Sequence, residues 1–225
     1  MIDIKAYMHE LVEALKTVFE KRLVYVGLQG SYLRGEANEK SDIDVMTVID
    51  EMNPNDLKEY RNVLNRIGHY DKSCGFICGA KELLNWNHLE ICHLLNTTED
   101  YYGALREIVP QYDKRDVADY VKLSAGNLYH MLCHGYVHSD MESNRVKLPL
   151  IYKDIFFMLQ NMHYLESGKF IQTKQEMESA VSGSDREIWM LLKRIANEKE
   201  YEFDPAFEIV YDWCCGILAR ANRYE

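Results

Sequence analysis

Apolar residues recur at helical spacing over residues 4–22, where Ile4, Met8, Leu11, Leu15, Val18 and Phe19 share a face and Glu20-Lys21-Arg22 close the run. A β-rich run follows, Leu23 to Leu28, ended by Gly30-Ser31, and a second runs from Ser41 to Ile49 with two acids near its start. The polar stretch between them, residues 32–40, predicts a brief helix and turn. Leu57, Tyr60, Val63, Leu64 and Ile67 then mark a helix over 56–67 with Pro54 near its start, and residues 75–79 form a third short strand. Residues 80–95 read as helix broken around Asn85-Trp86-Asn87, and 97–103 as a loop or strand leading out.

Beyond about residue 105 the strand signal nearly vanishes. Helical periods occupy 114–139, 146–167, 173–181, 184–199 and 204–223, separated by short polar, glycine- or proline-containing stretches. The pattern predicts an N-terminal α/β domain over residues 1–105 and an all-α bundle over 106–225. No internal repeat interrupts this division.

Composition narrows the classes of function. At 225 residues, 47% hydrophobic and 28% charged, the chain can bury a sizeable core. No run approaches the length of a membrane span, and the amphipathic N-terminus is unlike a signal peptide, so a cytoplasmic protein is expected, away from membranes. The six cysteines then read as reduced thiols, and Cys74 and Cys78 lack the second pair that would make zinc persuasive. A net charge of −10 argues against long nucleic acids as partners, because phosphate neutralisation supplies most of that affinity. A local nucleotide site remains open, since bound metal offsets its own field.

The stretch that carries chemistry is Gly30-Ser31-Tyr32-Leu33-Arg34-Gly35, followed by Ser41-Asp42-Ile43-Asp44-Val45. Carboxylates two residues apart on a strand face the same way, and hard oxygen pairs suit Mg²⁺, which completes its shell with phosphate and water. A Gly-Ser pair after a buried strand turns tightly and offers amide and hydroxyl donors to phosphate. Gly30, Ser31, Asp42 and Asp44 can therefore converge on one triphosphate, with Arg34 and Ser41 beside it.

In order and spacing, Gly30-Ser31, Gly35 and Ser41-Asp42-Ile43-Asp44 resemble the nucleotidyltransferase superfamily of the DNA polymerase beta type. The resemblance is tightest over residues 20–80, and the layout with a helical C-terminal domain looks most like the aminoglycoside nucleotidyltransferases of bacteria. It implies an α+β fold, a mixed sheet flanked by helices and followed by a helical bundle, with the acceptor held between the two. It also implies two Mg²⁺ ions and transfer of a nucleoside monophosphate from NTP to an acceptor hydroxyl, on a small molecule such as an aminoglycoside. Asp42 and Asp44 would bind the metal, while Gly30, Ser31, Arg34 and Ser41 would line the nucleotide.

Members of the family that catalyse transfer place a third acid on a later strand. Here that strand reads His69 to Cys78 with no acid in its apolar part. Asp71 at its start is the expected catalytic partner of Asp42 and Asp44, Glu82 and Glu90 are the alternatives, and loss of the third acid is a further one. That gap leaves room for a nucleotide-binding scaffold without turnover, or for a modifier that transfers AMP to a protein. Lys40 shares with Arg34 a choice between phosphate and a surface ion pair. His130, His134 and His138 fall on one helical face, which suits an acceptor cleft, a metal or ordinary packing.

Overall fold

The computed structural model describes residues 2–197 and 200–224. The last two positions of the helix expected over 184–199, Glu198 and Lys199, lie outside the described residues. The chain divides into two compact units, Met1–Gln111 and Tyr112–Glu225.

In the first unit, helix α1 (Ile4–Phe19) is capped by the Asp3 side chain, which accepts from Ala6 N at 3.1 Å. Its face of Met8, Leu11 and Leu15 is fully buried. A 3₁₀ turn over Glu20–Arg22 delivers the chain into β1 (Leu23–Leu28), and the short α2 (Gly30–Leu33) follows. The next strand, β2, spans Ile43–Ile49. It starts two residues later than its pattern predicts. Ser41 is drawn into a turn instead, its Oγ accepting from Asn38 N at 2.9 Å while its own N–H donates to Asn38 O at 3.0 Å. Asp42 therefore sits just before the strand and only Asp44 lies within it.

Helix α3 (Pro54–Ile67) carries a reciprocal capping box between Asn53 and Asp56. Asp56 also receives Arg22 from the end of the turn before β1, Nη1 at 3.1 Å and Nη2 at 2.5 Å. One carboxylate thus fixes the start of α3 and ties it to β1. After a 3₁₀ turn at Tyr70–Lys72 come β3 (Ser73–Gly79), α4 (Ala80–Leu84), α5 (His88–Asn96), β4 (Glu99–Tyr102) and α6 (Leu105–Ile108). The break expected at residues 85–87 falls between α4 and α5.

The sheet order is β3-β2-β1-β4, with β1 antiparallel to both β2 and β4 and β2 parallel to β3. The parallel pair requires a crossover, which α3 supplies. Burial along β1 and β2 is nearly continuous, and Val26, Leu28, Ile43, Val45 and Ile49 join the α1 face in one core. That core holds still the strand ends on which the chemistry-bearing residues sit.

Among the described residues, the elements of the second unit are all helical: α7 (Lys114–His138), α8 (Met141–Lys147), a 3₁₀ turn (Leu148–Ile151), α9 (Tyr152–Ser167), α10 (Lys174–Ala180), α11 (Gly183–Ile195), α12 (Phe203–Ala221) and a closing 3₁₀ turn (Asn222–Tyr224). Helix α7 begins with an Asp113–Asp116 capping box and packs against α9 and α12. The single helix expected over 146–167 is divided at Leu148-Pro149, because proline has no N–H for the continuing ladder. Arg220 on α12 donates to Asp185 of α11 at 2.8 Å and to Glu166 of α9 at 2.8 Å, tying three helices together. Burial works against its charge, but these two carboxylates outweigh it and raise its pKa.

Candidate active site

Gly30 has a φ of 71°, in the left-handed region that glycine enters without steric cost. A Cβ there would overlap the Asp44 carboxylate. The backbone is held at the same place, since Gln29 N donates to Asp44 O at 2.8 Å. The Gly-Ser turn is therefore pressed against the second acid. The amides at the start of α2 have no side-chain cap and Ser31 is half-buried, which leaves these donors without a side-chain partner at that turn.

Asp42 is exposed and Asp44 half-buried. Directly across the parallel ladder from Asp44 stands Cys74. Its pKa is raised, by partial loss of solvation at the thiol first and then by the charges of Asp44 and Asp42. The thiol is thus the side chain of β3 that faces both acids. Gly75 beside it has a φ of 133°, and a Cβ there would overlap the backbone of Val45. Only glycine lets β3 lie this close to β2 at the acids.

The other expected site residues fall as follows. Arg34 is held by Glu36 through an Nε to Oε2 bond of 2.9 Å, both side chains being mostly buried. Ser41 closes the Asn38 turn, and Lys40 N donates to Asn38 Oδ1 at 2.9 Å. Asp71 lies outside the strand, exposed in the Tyr70–Lys72 turn, where it lines a cleft of about 580 Å³ between α3 and β3 together with Cys74 and Arg61. Glu82 folds back toward Gly79, and Glu90 accepts from Trp86 Nε1 at 2.9 Å. The rings of His130, His134 and His138 do share a face of α7, at centroid separations of 5.8 and 4.8 Å.

Sequence reasoning missed Cys74, Gly75 and Gln29. Gln29 Nε2 donates to Thr98 Oγ1 at 2.8 Å, which ties the Gly-Ser turn to the approach to β4. A glycine inside a strand pattern was the available signal for the close approach at Gly75. All six cysteines are free thiols. Among the described residues no group of three or more His, Cys, Asp or Glu side chains could hold a metal ion. Asp42 and Asp44 accordingly stand as a pair of carboxylates, the number Mg²⁺ commonly takes from protein when phosphates complete its shell. Glycine at position 30 leaves room for the Asp44 carboxylate itself, and two hard carboxylate donors are the chemistry that fits such an ion.

No helix among the described residues is long and apolar enough to cross a membrane. The model of the nucleotidyltransferase domain matches residues 8–121, just over half of the chain. No curated protein matches the sequence. Among solved structures, the chain is similar to spectinomycin adenyltransferase AAD(9) from Enterococcus faecialis, crystallised with ATP and spectinomycin. The TM-score is 0.59 and the identity 14%, over 96% of this chain and 99% of that one. The domain match shows that the chain belongs to the nucleotidyltransferase family, and its sheet and helical C-terminal part share the fold of that adenyltransferase.

Proposed function

We propose that the protein moves a nucleoside monophosphate from an NTP to a hydroxyl group of a small-molecule acceptor in a Mg²⁺-dependent reaction. The observation that carries this reading is the contact of Gly30 with Asp44, which sets the uncapped start of α2 beside one of the two carboxylates. Asp42 and Asp44 would hold the metal. Bound there, Mg²⁺ would neutralise phosphate charge and polarise the attacking and leaving oxygens. Ser31 and the amides of its turn orient the phosphates, and Gln29 keeps that turn in place through Thr98. The new bond joins the acceptor oxygen to the α-phosphorus, the bond to pyrophosphate breaks in line with it, and the hydroxyl proton leaves to a base or to solvent. The structural neighbour holds ATP and spectinomycin, which favours ATP as the donor and an aminocyclitol or related acceptor as the first class to screen.

A second reading is favoured by Cys74. Its raised pKa keeps it a thiol at neutral pH, so the place across from Asp44 offers no base of the carboxylate kind. A protein that binds nucleotide without turnover would have this site. Calorimetric titration with a non-hydrolysable ATP analogue, with and without Mg²⁺, tests the shared part. Binding that requires Mg²⁺ and disappears in the Asp42→Ala, Asp44→Ala double variant is expected, and unchanged affinity in that variant would sink the site assignment. Release of pyrophosphate from ATP over an acceptor panel then separates the two readings.

A further inference from the structure

In the helical unit, the C-terminal part of α7, α8 and the first turns of α12 enclose a cavity of about 330 Å³. This is the lower end of the range for small-molecule sites. Its aromatic wall is built from Tyr136, Phe203 and Phe207. The Tyr136 ring lies 4.5 Å from Phe207 and stacks at 19° to Phe203, yet it is 46% exposed. A large ring supported from behind and open in front is a stacking platform for another flat ring.

Lys147 is the charged side chain of the lining, His130 and His134 add N–H donors, Ser139 and Asn144 are its other polar groups, and among the described residues no acidic side chain lines the cavity, although the chain holds 36 Asp and Glu against 26 Lys and Arg. Glu202 and Asp204 flank Phe203 in the sequence and are exposed, outside the lining. The carbonyl end of α7 disfavours an anion and the amide end of α12, which has no side-chain cap, favours one. The helix ends offset each other, so the side chains decide the sign. At the back, Asn144 donates Nδ2 to Gly135 O at 2.9 Å, and its oxygen sits where a Cβ on residue 135 would intrude. Glycine at 135 lets α8 close that wall.

We infer that this cavity binds a small planar aromatic anion, an aryl carboxylate or its like. Its ring stacks on Tyr136 and its acceptor oxygens are met by His130, His134 and Lys147. A flat ring matches the exposed Tyr136 ring, and acceptor oxygens match the donors of His130, His134 and Lys147. A cationic ligand would find no counter-charge there. The inference is independent of the nucleotide site and extends the protein to a second ligand.

Calorimetric titration of the full-length protein with naphthoate, and in parallel with the neutral naphthamide, tests it. Saturable one-site binding of naphthoate is expected, with naphthamide weaker by about tenfold. Tyr136→Ala and Lys147→Glu, both at exposed positions, should each weaken naphthoate by about tenfold with an unchanged circular dichroism spectrum, while Lys147→Arg retains binding. Absence of saturable binding, equal affinity for the amide, or indifference to Tyr136→Ala and Lys147→Glu overturns the proposal. So does a concentration-dependent dimer that excludes naphthoate, which would assign the cavity to a second copy of the chain.

Discussion

At the scale of single residues, the site turns on what stands beside Asp44. Gly30 meets the carboxylate from one side and Cys74 from the other. Gly30→Ala would both strain a left-handed backbone and displace the acid, at a cost of about 1–2 kcal/mol for the strain alone. Affinity for the Mg²⁺-bound ATP analogue should fall by roughly tenfold or more, as read by titration, while the far-ultraviolet circular dichroism stays the same. Cys74→Asp places a carboxylate where the thiol now faces Asp42 and Asp44. If the present chain is limited by a missing base, the variant should release pyrophosphate faster by about 10²-fold. A variant no faster than the parent would remove the base as the limiting factor. The sequence made Gly30, Ser31, Asp42 and Asp44 visible because they are close in the chain. Cys74 stayed hidden because its place is set by the β2–β3 register, a relation between residues thirty positions apart.

At the scale of elements, the agreement between pattern and structure follows how local the governing interactions are. Helix α1, strand β1 and helix α7 fall nearly where their periods put them, since caps and apolar spacing are written in adjacent residues. The departures have named causes. Ser41 is taken from β2 by its own turn, and Pro149 divides what the hydrophobic period alone reads as one helix. The stretch 97–103 was open between loop and strand, and pairing of β4 with β1 decided it. The most consequential contact of this scale is Asp56, which caps α3 and accepts both guanidinium nitrogens of Arg22. Asp56→Ala is expected to cost about 1–3 kcal/mol, because it removes a cap and leaves a partly buried Arg22 without its carboxylate. Urea denaturation should show a lower midpoint with an unchanged slope.

At the scale of the whole molecule, charge sets what can approach. With a net charge of −10, duplex DNA should fail to displace the ATP analogue at physiological ionic strength, as read by competition titration; strong competition would point to a basic surface the charge count does not suggest. The sequence by itself determined the family, through a glycine-serine turn and paired acids whose spacing is local, and it determined the change from mixed sheet to helices, since periods of two and 3.6 residues are local too. Only the tertiary structure decided that the Cys74 thiol stands across from Asp44, because strand register is a long-range choice. It alone also decided that Tyr136, Phe203, Phe207, His130, His134 and Lys147 enclose one cavity. These residues come from three helices separated along the chain, and packing is what brings them together.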